Sequence, residues 1–170
     1  LLVLGGSQGA EVLNTVVPVA LARLAPEQRP LVRHQAGERT LASARQAYRS
    51  HGVAAQVSPF IDSMAEAYSW ADLVLCRAGA LTVAELAVVG VPSVLVPYPH
   101  AVDDHQTANA RYLSQAGAAV VVPQCKLTAQ RVSLVLSSLL GDRYRLRVMA
   151  QRARQRGRPQ ASKCVAKLCL

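Results

Sequence analysis

The feature that most constrains this chain is an alternation that runs almost from end to end: short, continuously apolar runs, each followed by a stretch of helical periodicity. Leu1 to Leu4 precedes a helix pattern from about Ala10 to Leu24, Leu31 to Gln35 precedes one around Thr40 to Ser50, and Gln56 to Phe60 leads into Ser63 to Trp70. Leu73 to Cys76 then leads into a helix from Leu81, Ser93 to Val96 into one from about His105 to Ala116, and Ala119 to Val122 into helices at the C-terminal end. Runs that are apolar throughout, and not at every second residue, belong to strands covered on both faces, as in a parallel sheet. With right-handed crossovers, the expected fold is α/β: a doubly wound, Rossmann-like parallel sheet of about six strands. Pro18 lies inside the first helix pattern and predicts a kink or a late start. Gly52, Gly90-Val91-Pro92 and Gly117 are placed as helix terminators. With no internal repeat or low-complexity linker, residues 1–170 read as a single domain, with 154–170 as an irregular or helical tail. The chain opens at Leu1, without a methionine, inside an apparent buried strand, which leads us to expect a piece of a longer polypeptide.

Composition narrows the functional classes. Half of the residues are hydrophobic but only 4% are aromatic, so the expected core is aliphatic. No apolar run approaches the roughly 20 residues of a membrane span, and the first residues lack the features of a signal peptide, so the chain reads as soluble. Cys76, Cys125, Cys164 and Cys169 show neither zinc-site spacing nor the density of a secreted disulfide framework; reduced thiols in a cytoplasmic protein are expected. The net charge is +9, and Arg143 to Lys167 holds nine basic residues and no acid, which leaves the remainder balanced. Such a run suits a solvated helix face, an anionic lipid surface or nucleic acid. No aromatic stacking platform interleaves with these arginines, so nucleic acid is not the expected partner.

Open parallel sheets bind ligands beyond the carboxyl ends of their strands, and four stretches fall there. "GGSQGA", Gly5 to Ala10, suits a phosphate held by helix amides and the Ser7 hydroxyl, or a glycine turn that only packs helix on strand. It is not a dinucleotide fingerprint, and the second strand ends in His34-Gln35 with no acid for an adenosine ribose. "CRAGALTVAEL", Cys76 to Leu86, places the amides of Leu81 and Thr82 at a helix start. Its Thr82-x-x-Glu85 matches a capping box, while Glu85 is equally placed to accept from a ribose diol. Arg77 either adds charge to this site or pairs with an acid at the strand edge. "PHAVDDHQTANA", Pro99 to Ala110, sets Gln106 and Asn109 on one helical face, suited to sugar hydroxyls. Its metal alternative uses His100, Asp103, Asp104 and His105, and Asp104 is also a candidate N-cap. In "SPFIDSMAEAY", Phe60 and Ile61 either flank a flat base or belong to the core.

Taken together, "GGSQGA", "HQAG" from His34, "FIDSMAEAYSWADLVLCRAGALTVAEL" and "DHQTANA" resemble the C-terminal, nucleotide-sugar-binding domain of the MurG-type transferases, from the first residue to about Ala153. That family transfers N-acetylglucosamine from UDP-N-acetylglucosamine to lipid I, undecaprenyl-pyrophosphoryl-N-acetylmuramoyl pentapeptide, giving lipid II for peptidoglycan. The resemblance implies the donor half of a GT-B architecture, with the acceptor site and catalytic base in an N-terminal half. It further implies that Ser7 and the amides of Leu81 and Thr82 contact the diphosphate, and that Ile61 reads the uracil by backbone atoms. Glu85 would hold the ribose, while His105, Gln106 and Asn109 surround the sugar. Gln8, Phe60, Met64 and Ala80 complete the implied donor-binding set. No cofactor and no metal are expected for the chemical step, and the expected location is the inner face of the bacterial plasma membrane. Two other readings remain: a nucleotide-sugar epimerase using His34 or His105 as acid-base groups, and a UDP-sugar-binding module without catalysis.

Overall fold

The computed structural model describes residues 1–6, 10–99, 101 and 104–161. Six parallel strands, β1 (Leu2–Leu4), β2 (Arg33–Gln35), β3 (Gln56–Ser58), β4 (Val74–Cys76), β5 (Ser93–Leu95) and β6 (Ala119–Val121), form one sheet in the order β3-β2-β1-β4-β5-β6. The helices are α1 (Glu11–Ala22), α2 (Leu41–Ser50), α3 (Met64–Trp70), α4 (Ala80–Val89), α5 (His105–Ser114), α6 (Ala129–Leu140) and α7 (Arg143–Arg156). This is the doubly wound order expected from the apolar runs, with the reversal of direction between β1 and β4.

Successive strand residues point to opposite faces, so the continuous apolar runs supply two cores. Val3, Leu75 and Val94 pack with Leu13, Val17 and Leu21 of α1, Tyr48 of α2 and Leu136 of α6. On the other face, Leu4, Val74 and Leu95 pack with Tyr68 of α3, Leu86 of α4 and Leu113 of α5. Helix α7 reaches both: Leu146 and Met149 join the first core and Ala153 the second.

The late start expected from Pro18 does not occur. Helix α1 starts at Glu11 and runs through Pro18, which is buried. A proline costs an intrahelical hydrogen bond, but packing of the apolar face of α1 holds the helix together across it. The strands are also shorter than the apolar runs suggested: β2 begins at Arg33, two residues after Leu31, and β3 ends at Ser58, leaving Phe60 and Ile61 in the following loop. The tail placed from residue 154 begins inside α7, and residues 162–170, with Cys164 and Cys169, lie outside the described residues. No helix among the described residues is long and apolar enough to cross a membrane.

Candidate functional site

Two glycine turns leave the sheet side by side. Leu4 pairs with Cys76 across the β1–β4 register, so the turn after β1 and the turn after β4 share the carboxyl edge at the point where strand order reverses. Gly6 has φ +77°, a left-handed conformation that side chains disfavour. Ser7 and Gln8 lie outside the described residues. Helix α4 begins at Ala80, with Gly79 as an extended N-cap and no side chain capping it; Ala10 at α1 likewise offers no side-chain cap. By contrast, Ser63, Thr128 and Asp142 cap α3, α6 and α7 through their side chains. The N–H of Val83 donates to the Gly79 carbonyl at 2.9 Å. The amides of Ala80, Leu81 and Thr82 have no hydrogen-bond acceptor among the described residues. Together with the helix dipole they form an anion-favouring terminus.

The capping box at Thr82 does not form. The helix starts two residues before Thr82, because Gly79 supplies the extended cap and Ala80 and Leu81 are strong helix formers. Glu85 therefore lies within α4, exposed, and its Oε2 accepts a hydrogen bond from the Tyr68 hydroxyl at 2.9 Å.

Helix α5 grips the turn. Gln106 Oε1 accepts from the amides of Ala78 (3.2 Å) and Tyr98 (3.0 Å), and Asn109 Nδ2 donates to the Ala78 carbonyl (3.0 Å). The two side chains share a face, as their spacing predicts. They bind both backbone groups of Ala78, a role that sequence reasoning missed. Asp104 is the N-cap of α5 by position, yet its side chain caps nothing and its φ is +50°. His105, the first residue of α5, is exposed. Arg77 pairs with no acid among the described residues: it is half-buried, donates to the carbonyls of Val96 (3.3 Å) and Pro97 (3.4 Å), and lies 5.3 Å from the Tyr98 ring centroid. Burial lowers its pKa, an effect that Tyr98 partly opposes.

Beyond β3, Phe60 and Ile61 line a cleft of about 430 Å³ together with Arg33, Gln56, Ser58 and Glu66. Phe60 is 58% exposed, whereas Ile61 and Met64 pack partly against the core. Arg33 closes one side, 5.0 Å from the Trp70 ring centroid and 4.0 Å from the Glu66 carboxylate.

His34 is removed from any such edge. It is fully buried, its Nδ1 lies 2.9 Å from the Tyr48 hydroxyl, and burial lowers its pKa from 6.5 to about 4. A sealed imidazole cannot exchange protons with a bound sugar, which removes His34 from the epimerase reading. Of the metal candidates, His100 and Asp103 lie outside the described residues, and no cluster of three His, Cys, Asp or Glu occurs among the described ones. Cys76 and Cys125 are free thiols; Cys76 is fully buried, which pushes its pKa up to about 12.

The arginines of α7 are less idle than a solvated face implies. Arg143 pairs with Asp72 at 3.1 Å, Arg145 bonds the Ser138 hydroxyl, Arg154 bonds the Val89 carbonyl, and Arg156 stacks on Tyr112 at 4.4 Å. All of these arginines are exposed, as are Arg147 and Arg152 of α7 and Arg158 just beyond it.

Residues 1–165 match the glycosyltransferase family 28 C-terminal domain. The chain is 62% identical over 170 residues to the UDP-N-acetylglucosamine--N-acetylmuramyl-(pentapeptide) pyrophosphoryl-undecaprenol N-acetylglucosamine transferase of Alkalilimnicola ehrlichii, covering 100% of this chain and 48% of that protein. It is 56% identical over 168 residues to the same-named transferase of an Azoarcus species, covering 99% and 47%. The crystal structure of Acinetobacter baumannii MurG superimposes with a TM-score of 0.91 at 44% identity, over 98% of this chain and 50% of that one. The calicheamicin glycosyltransferase CalG4, at 20% identity and a TM-score of 0.67, shares the fold. The chain thus spans about half the length of the curated relatives it matches. The uncapped helix start at the strand-order reversal and these matches lead to one assignment: the chain belongs to glycosyltransferase family 28, as its C-terminal domain.

Proposed function

We propose that this domain binds UDP-N-acetylglucosamine as the donor half of an inverting transferase that converts lipid I to lipid II. The observation that carries the reading is the α4 terminus, whose free amides of Ala80, Leu81 and Thr82 open at the strand-order reversal. These amides would receive the diphosphate. The acceptor hydroxyl attacks the anomeric carbon, the bond to the diphosphate oxygen breaks, and the electron pair leaves with UDP. The acceptor proton passes to a base supplied by the other half of the enzyme. Charge grows on the leaving group during this step, so amides fixed in advance stabilise the transition state more than the ground state. One such donor is worth about 3 kcal/mol, which would let the protein do without a metal for leaving-group stabilisation. Phe60 and Ile61 would hold the uracil, Glu85 the ribose diol, and Asn109, His105 and the Gln106 NH2 group the sugar.

The test is calorimetric titration with UDP. Glu85→Ala removes charge-assisted hydrogen bonds worth about 2 kcal/mol, so the dissociation constant should rise roughly 30-fold. A dissociation constant matching that of the unaltered chain would overturn the ribose assignment.

We further propose that the whole enzyme works at the inner face of the bacterial plasma membrane, with Arg147, Arg152 and Arg158 of this domain turned toward anionic lipid. The chain should then sediment with phosphatidylglycerol vesicles at low salt and remain in solution with phosphatidylcholine. Equal behaviour with the two would refute this.

A further inference from the structure

Tyr68 sits on α3, 3% exposed and packed into the core with Val83, Leu86 and Ala87 of α4. Its hydroxyl crosses to α4 and donates to Glu85 Oε2 at 2.9 Å. Among the described residues this is the one hydrogen bond that the Glu85 carboxylate makes, and Glu85 is exposed. Burial, followed by the hydrogen bond and charge of Glu85, raises the Tyr68 pKa, so the phenol remains a donor at any working pH.

A glutamate in water samples many rotamers, and ordering a side chain of this kind costs conformational entropy. A ribose diol asks for two acceptor positions at fixed separation, so a freely turning carboxylate would bear that cost at every binding event. A rigid phenol, held by the core, fixes one carboxylate oxygen and leaves the other without a hydrogen-bond partner among the described residues. We propose that Tyr68 is a positioning residue: it orients the Glu85 carboxylate in advance for the 2′- and 3′-hydroxyls of the donor ribose, and so sets the preference for ribose over deoxyribose. The inference rests on the assignment of Glu85 to the ribose.

The readout is the affinity ratio between UDP and 2′-deoxyuridine diphosphate, measured calorimetrically, with thermal melts as a check on folding. The unaltered chain should prefer UDP by about 10-fold or more. Tyr68→Phe removes only the hydroxyl; it should weaken UDP several-fold, weaken the deoxy ligand, which keeps its 3′-hydroxyl, by less, and bring the ratio toward one. Tyrosine that merely fills the core would lower both affinities together and keep the ratio. Glu85→Ala must also bring the ratio toward one. If it does so while Tyr68→Phe keeps the ratio, positioning alone is overturned. If Glu85→Ala keeps the ratio, the ribose assignment falls, and the role of Tyr68 falls with it. Should Tyr68→Phe fail to fold, Glu85→Gln decides: Tyr68 would pin the amide oxygen and turn the NH2 toward the ribose, so the ratio should drop as far as in Glu85→Ala. A ratio retained in Glu85→Gln would overturn the proposal.

Discussion

Acidification from pH 7 to pH 4 is expected to cost the fold about 3 kcal/mol through His34 alone. The imidazole is wholly enclosed, with Nδ1 on the Tyr48 hydroxyl and Nε2 without a partner among the described residues. Burial disfavours the charged ring and lowers its pKa from 6.5 to about 4. The unfolded chain takes up the proton near pH 6.5 while the folded one resists it to about pH 4. The stabilisation by neutral His34 is therefore complete above pH 6.5 and declines as the pH falls through this window. At about 1.4 kcal/mol per pH unit, the decline reaches roughly 3 kcal/mol. Urea midpoints between pH 7 and pH 4.5 measure it, and His34→Gln separates this contribution from the titration of surface carboxylates. An equal slope in the variant would show that His34 is not the source.

Gly90→Ala is expected to destabilise the domain by about 2–4 kcal/mol. Gly90 ends α4 at φ +77°, with its N–H and that of Val91 both donating to the Leu86 carbonyl. A side chain in this left-handed conformation costs about 1 kcal/mol. A Cβ here would also lie 2.9 Å from Arg154 Nε, 3.1 Å from Arg154 Cβ and 3.2 Å from the Ala150 carbonyl oxygen. Crowding of this kind adds about 1–3 kcal/mol. Gly52 has φ +61° but open space around it, so Gly52→Ala should show the conformational cost alone. Denaturant melts of the two variants isolate the contribution of α7 packing on α4, and equal losses would show that the contact yields freely.

The topology was legible because it depends on a pattern that no single residue can disguise: continuous apolar runs such as Leu73 to Cys76 must be covered twice. The start of α4 at Ala80 lies one residue from the expected Leu81, whereas the Thr82-x-x-Glu85 capping box stayed open as an alternative, because a local signal cannot report that Gly79 already supplies the cap. Tyr68 was missed for another reason. It follows Met64 by one helical turn and reads as plain core, and its partner lies on a different helix. The bonds from Gln106 and Asn109 to Ala78 are likewise long-range, so their sequence spacing revealed a shared face and not what that face touches. His34 sits in a strand pattern whose sequence gave no sign that Tyr48, fourteen residues on, would seal it.

Because Gln106 and Asn109 fasten α5 to both backbone groups of Ala78, the two segments form a single unit of inheritance. An engineer who exchanges α5 for that of another member of the family, hoping to alter the proposed sugar contacts, would also shift the proposed diphosphate cradle. Chimeras that import the β4–α4 turn and α5 as a matched pair should keep donor affinity, whereas single-segment grafts would misalign it.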